Sequence, residues 1–237
     1  MKCLILAAGQ GTRLRAIAAS KPLAEVGGAA LLEHVVASAR AAGASGFVIV
    51  TGYEAERVEG MARRLGPGIE TVGNPDWDRP NGVSVLAAAD RLGGEFALLM
   101  SDHLFDSSIL RDLIAAGRGD AELVLGADFD VANPRLDIDD ATKIEVGRDG
   151  TIVRIGKTLE RYQAIDTGIF LAGPSLFDAI LESLAAGGTG SLSEGVQRLA
   201  DAGLARVRDI GGRWWLDVDD EAAFAKAEAY LALNPAT

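Results

Sequence analysis

Cysteine, histidine, aromatic side chains and positive charge are all scarce in this chain of 237 residues. The one cysteine, Cys3, permits no internal disulfide and falls inside a strand-like run, so a reducing, cytoplasmic setting is expected. Lysine and arginine total 23 against 34 acids, a formal net charge of −11. No basic run interrupts that excess. Nucleic acids and anionic membrane surfaces both need cations facing phosphate, so neither is an expected partner. Apolar runs such as Phe47–Val50 and Phe96–Met100 are short, well below the roughly 18 residues of a membrane span. Met1–Gly9 passes from a brief apolar stretch straight into glycine, which predicts no secretory leader. Internal repeats and low-complexity linkers are missing, and the 29 glycines follow no short period, which excludes fibrous order.

Hydrophobic residues make up 49% of the chain, enough to bury a full core in one domain over 1–237. Short β-type runs alternate with segments of helical period. Lys2–Leu6, Phe47–Val50, Ile69–Val72 and Glu95–Met100 read as strands. Between them, Leu31, Leu32, Val35, Val36 and Ala39 recur at helical spacing with Gly43 as the stop, and Glu54–Leu65 and Val83–Arg91 follow as helices. This order predicts an α/β fold, a mostly parallel sheet with helices on both faces. After about Val131 the texture becomes mixed. A hairpin is predicted at 144–155 around Gly147–Gly150, then a strand at Asp166–Ala172 and helices near Pro174–Ala186 and Leu192–Gly203. Gly187–Gly190 reads as a flexible loop, and Trp214–Asp217 precedes a last helix from Glu221.

The most informative stretch is Leu6-Ala7-Ala8-Gly9-Gln10-Gly11-Thr12-Arg13, with Lys21-Pro22-Leu23 soon after. Small residues ending a first parallel strand let a ligand approach the backbone, and successive amide N–H groups in such a turn make a concavity for phosphate oxygens. Arg13 and Lys21 add positive charge. A P-loop requires Gly-Lys-Ser/Thr, where this loop has Gly-Thr-Arg. A dinucleotide-binding fingerprint requires a third small residue where Leu14 stands, and an acid after the second strand where Thr51-Gly52 stands. Both fail.

The pattern Leu6-Ala-Ala-Gly-x-Gly-x-Arg13 followed by Lys21-Pro22-Leu23 resembles the signature of the nucleotidyltransferase superfamily, whose fold is Rossmann-related and GT-A-like. Five further segments are most similar to the CTP:inositol-1-phosphate cytidylyltransferases: Asn74–Ser84, Met100–His103, Asp137–Lys143, Ile155–Lys157 and Asp166–Gly168. The resemblance implies that residues 1–130 bind the nucleotide and 131–237 bind the acceptor and supply a second metal acid. It places Leu6, Ala7, Ala8, Gly9, Gly11, Thr12, Arg13 and Lys21 on the triphosphate and Asn81, Gly82 and Ser84 near the base. Lys143 and Lys157 then bind the acceptor phosphate and Asp166 its hydroxyls. Asn81 has the donor and acceptor for a pyrimidine edge, and equally those for its own turn.

Asp102 ends a predicted strand at the edge where parallel sheets bind ligands, and Asp217 and Asp219 alternate along one extended segment. These acids read either as helix caps or as ligands of a Mg²⁺ ion, which takes carboxylate, phosphate and water oxygens. With the glycine loop present, metal binding by Asp102 and by Asp217, Asp219 or both is the expectation. A phosphate monoester has a second pKa near 6 and needs no general base, so His103 is assigned to positioning, on the acceptor side. His34 is expected to be structural. The reaction implied is transfer of CMP from CTP to inositol 1-phosphate. Related alternatives are transfer to phosphocholine, aminoethylphosphonate or a sugar 1-phosphate, and a silent nucleotide-binding subunit. Choline would call for an aromatic cage, with Tyr162, Phe170, Trp214 and Trp215 as its candidates. Some relatives are fused to a membrane-embedded phosphotransferase; with the chain ending at Thr237, any enzyme acting on the product is expected to be separate.

Overall fold

The computed structural model describes residues 1–15 and 17–234. Its strands are β1 (Lys2–Ala7), β2 (Glu25–Val26), β3 (Ala29–Ala30), β4 (Gly46–Thr51), β5 (Ile69–Gly73), β6 (Phe96–Met100), β7 (His103–Phe105), β8 (Leu123–Asp128), β9 (Lys143–Val146), β10 (Ile152–Gly156), β11 (Ala164–Ala172), β12 (Ala205–Asp209) and β13 (Trp215–Asp217). Its α-helices are α1 (Leu31–Ala41), α2 (Ala55–Ala62), α3 (Asn81–Ala87), α4 (Ser107–Ala116), α5 (Ser175–Ala185), α6 (Leu192–Asp201) and α7 (Glu221–Leu233).

The expected α/β layering is what the chain adopts. β1 lies between β4 and β6, parallel to both, with β5 parallel beyond β4. β11 then joins β6 antiparallel, β8 runs antiparallel along the other edge of β11, and β12 is parallel to β8. The first two residues of β11 also pair with β9, whose hairpin partner is β10. β1 shows why its sequence is an unbroken apolar run. Leu4 and Leu6 face the core under α3, α5 and α6, whereas Cys3 and Ile5 face the core under α1, α2 and α4. Burial pushes the Cys3 thiol well above its ordinary pKa, so it is a packing residue.

A smaller third core, built from Leu14, Val26, Leu31, Leu104, Leu216 and Val218, seats the ribbon of β7 and β13 at the end of the main sheet. That ribbon sets His103 directly opposite Asp217. His34 is structural, its Nε2 bonded to the Val26 carbonyl at 2.8 Å.

Two differences from the expected elements matter for the site. α3 starts at Asn81 and ends at Ala87, with a separate turn at Ala89–Arg91. Gly187–Gly190 is a pinned loop. Glu194 accepts the N–H groups of Thr189 and Gly190 at 3.1 and 2.8 Å and the hydroxyls of Ser183 and Thr189 at 2.8 and 3.0 Å. The Gly190 carbonyl in turn lies where a Cβ on Gly82 would sit. Among the described residues, no helix is long and apolar enough to cross a membrane.

Candidate active site

β1 ends at Ala7, and the chain turns through Gly9 and Gly11 into a short 3₁₀ turn at Thr12–Leu14. Gly11 has φ +61°, and a side chain there would run into Lys21. Nothing stands within 4 Å of the Cβ position of Gly9, so the backbone is open on that side. Among the described residues, the N–H groups of Gly9 to Arg13 have no protein acceptor. Consecutive amides without protein acceptors are groups of the kind that can cradle an anion. Leu6, Ala7 and Ala8 are buried beneath it, and the Ala8 carbonyl accepts the Tyr53 N–H at 2.9 Å.

The loop opens beside a cavity of about 550 Å³ lined by Arg13, Asn81, Asp102, His103, Lys157, Asp166, Asp217 and Asp219, among others. Lys21 is buried just behind this lining. Its Nζ pairs with Asp102 and Asp219 and lies 3.6 Å from Asp217. Burial alone would depress its pKa, but Asp102 and Asp217 outweigh it and hold the ammonium charged. Arg13 bridges Asp140 and Asp219 at 2.6 Å each, and Lys157 also meets Asp140 at 2.6 Å. Asp140 thus ties the glycine loop to the second half of the chain.

His103 Nδ1 bonds to the Thr167 carbonyl at 2.7 Å, leaving Nε2 3.4 Å from Asp217 and 3.8 Å from Asp102. Burial opposes its charge, yet the two carboxylates raise its pKa to about 9. Burial favours the neutral form of Asp217, and His103 and Lys21 reverse that, holding the group well below the usual carboxylate range. Burial lifts Asp166 to about 6, against a hydrogen bond from the Gly168 N–H and the charge of His103.

Asp102, His103 and Asp217 bring one ligand atom each within 4.8 Å of one another. Asp217 Oδ1 is buried with no hydrogen-bond partner, the Lys21 ammonium facing it from 3.6 Å. Two carboxylates beside open space for phosphate fit a hard divalent ion. Asp219 turns to Arg13 and Lys21 and lies outside this trio.

Three predicted residues are placed away from the cavity. Ser84 is buried and accepts Asn74 Nδ2 at 2.9 Å. Gly82 packs on the backbone of Gly190–Leu192. Lys143 is buried, donates to the Lys157 carbonyl at 2.8 Å and lies over the Tyr162 ring. Asn81 does line the cavity, though its Oδ1 accepts the Leu192 N–H at 3.0 Å. The sequence reading assigned nothing to Asp140, Arg135, Ser193 or Lys226, which also line it. Asp140 falls inside Asp137–Lys143, already conspicuous as a motif; the others carry no local signal.

A profile of the MobA-like NTP transferase domain matches residues 3–202. The chain belongs to that family. This NTP transferase domain is 37% identical over 218 residues to the bifunctional IPC transferase and DIPP synthase of Rubrobacter xylanophilus, covering 91% of this chain and 48% of that one. Its counterpart in Aquifex aeolicus is 31% identical over 231 residues, covering 96% and 51%. The domain therefore spans about half the length of these curated relatives. Among solved structures, the inositol-1-phosphate CTP transferase from T. maritima superposes with a TM-score of 0.84 at 24% identity, over 100% of this chain and 98% of that one. A UDP-glucose pyrophosphorylase from acinetobacter baumanii also reaches 0.84 at 16% identity, over 99% and 94%. These likenesses establish the fold.

Proposed function

We propose that the chain transfers CMP from CTP to inositol 1-phosphate in a Mg²⁺-dependent reaction, releasing pyrophosphate and forming CDP-inositol. The observation that carries this reading is a single cavity joining Arg13, Asp102, Lys157, Asp166 and Asp217 beside a loop of bare amides. The names of the relatives, IPC transferase and inositol-1-phosphate CTP transferase, support the choice of base and acceptor.

The amides of Gly9 to Arg13 and the Arg13 guanidinium receive the triphosphate, whose oxygens replace the carboxylates that Arg13 now holds. Lys21 faces the developing charge at the α-phosphate. Asp102 and Asp217 would hold the Mg²⁺, which supplies Lewis-acid neutralisation of phosphate charge when bound. An oxygen of the acceptor phosphate forms the new P–O bond at the α-phosphorus as the α–β bridge breaks, and pyrophosphate leaves with that electron pair. No base is required, because the monoester is already largely dianionic at neutral pH. His103 suits a positioning role, since both ring nitrogens are engaged with the Thr167 carbonyl and the acids. Asp166 accepts hydroxyls of the polyol. Lys143 acts through Lys157, whose backbone carbonyl it fixes.

The arrangement of aromatics disfavours choline. Trp214 stacks on Tyr230 at 3.6 Å, Tyr162 covers Lys143, and the Trp215 indole donates to Asp128 at 2.8 Å. Of the four cage candidates only Phe170 and Trp215 line the cavity. Pyrophosphate release should be assayed with the four common NTPs crossed with inositol 1-phosphate, phosphocholine, aminoethylphosphonate and glucose 1-phosphate. CTP with inositol 1-phosphate should exceed every other pair by at least about tenfold, the factor one well-made polar contact supplies. A flat or sugar-selective profile would reject the assignment.

A further inference from the structure

The cavity contains two cations that the mechanism above leaves without a task. Arg135 lies in the segment between β8 and β9, Lys226 lies on α7, and both line the cavity. Their surroundings differ from those of the other cations. Arg13, Lys21 and Lys157 each face at least one carboxylate, which offsets their charge. Among the described residues, Arg135 has no ion pair. Its Nε is buried without an acceptor, while its backbone N–H donates to Asn133 Oδ1 at 3.1 Å. Lys226 donates to the neutral carbonyls of Pro134 and Arg135 at 3.2 and 3.3 Å, fixing the segment that carries Arg135 with no carboxylate partner among the described residues.

A buried guanidinium N–H without an acceptor is costly, so the site that holds Arg135 keeps an uncompensated positive group at the cavity wall. The planar fork of arginine matches phosphate oxygens, and a phosphomonoester brings about −1.5 to −2 charges at neutral pH. The same cavity presents Asp137, Asp166 and Asp220, none of them in an ion pair with a lysine or arginine among the described residues, which repel such a dianion. Only cations not already neutralised offset that repulsion, and Arg135 and Lys226 are such cations.

We infer that Arg135 and Lys226 form an anion-binding arm of this cavity that receives the phosphate of the acceptor monoester. The inference rests on reading the cavity as a nucleotidyltransferase site. The triphosphate already has the glycine loop, Arg13 and Lys21. Arg135 belongs to a different part of the chain, the segment that leads through Asp140 to Lys143 and the hairpin. The arm selects for a phosphomonoester of any polyol, while Asp166 and its neighbours read the hydroxyls.

The test uses the intact chain with Arg135→Met, which keeps packing and removes charge, Arg135→Lys, which restores charge, and Lys226→Gln on the exposed helix. Each is assayed with CTP and whichever phosphomonoester the wild type turns over best. Arg135→Met should raise the acceptor KM about 10- to 100-fold with the CTP KM within about twofold, the loss expected for one charged hydrogen-bonding partner. Arg135→Lys should recover most of that loss, and Lys226→Gln should show a smaller rise of the same kind. Calorimetric titration with inorganic phosphate should show weaker binding to Arg135→Met than to the wild type. An unchanged acceptor KM, or equal rises for CTP and acceptor, would overturn the arm while leaving the reaction assignment standing. A wild type that turns over a different monoester through the same arm would correct the acceptor and keep the arm. A wild type inactive with every monoester would remove both.

Discussion

Lys21 is the residue on which the site's electrostatics turn. It is buried, and three aspartates, from the turn between β6 and β7, from β13 and from the segment after β13, converge on its ammonium. Carboxylates that close are tolerable only with positive charge among them, either this lysine or a divalent ion. Lys21→Met keeps most of the volume and deletes the charge. Turnover should fall by on order of 10²–10³, the loss typical of a preorganised group facing transition-state charge. Far-UV circular dichroism in the presence of Mg²⁺ should match the wild type, separating chemistry from folding. A wild-type rate would exclude the lysine from the reaction. Lys21, Arg13 and Asp102 were legible in sequence because each sits in a short motif whose spacing the backbone enforces. Lys143 was legible as a residue but not as a contact. It reaches the carbonyl of Lys157 instead of the cavity, and nothing local in sequence encodes which way a strand residue points.

At the scale of elements, the join between α3 and α6 shapes one wall of the cavity. Asn81 at the start of α3 holds the Leu192 N–H, and Gly82 leaves room for the loop before α6 only because it has no Cβ. Glu194 fixes that loop. Burial raises its pKa, but hydrogen bonds from Thr189, Ser183 and Gly190 prevail and bring it from 4.5 to about 2. A pKa lowered on folding contributes stability that is present above the unfolded value and lost as pH falls through the folded one. Glu194→Gln should therefore destabilise the protein at pH 7 by about 0.5–2 kcal/mol, as expected for weakening charge-assisted hydrogen bonds at a half-buried, partly solvent-screened carboxylate. The gap should begin to narrow below about pH 4.5 and close toward pH 2. Urea titrations at pH 7, 5, 4 and 3 would measure it, and a gap independent of pH would show that charge is not its source. Glycine composition suggested mobility here because a run of small residues has no side chains to hold it. The anchor lies four to seven residues downstream on a helix, a relation that neither composition nor periodicity reports.

At the scale of the molecule, β11 is the strand that unites the two halves of the chain. One edge meets β6 of the N-terminal parallel set, and the other meets β8 and through it β12. Its side chains enter both main cores, Phe170 on one face and Ile165 and Ile169 on the other. The alternation of strands and helices made the parallel half readable, since buried parallel strands are short apolar runs bounded by turns. The antiparallel insertion was less so, because a strand's direction follows from its connections and not from its residues. A sheet whose cores share strands cannot lose one face and keep the other. Urea unfolding should thus be a single transition, with tryptophan fluorescence from Trp77, Trp214 and Trp215 superposing on far-UV circular dichroism. Two separated midpoints would mean that the residues before and after about 130 fold as independent units, and that the cavity between them depends on their docking.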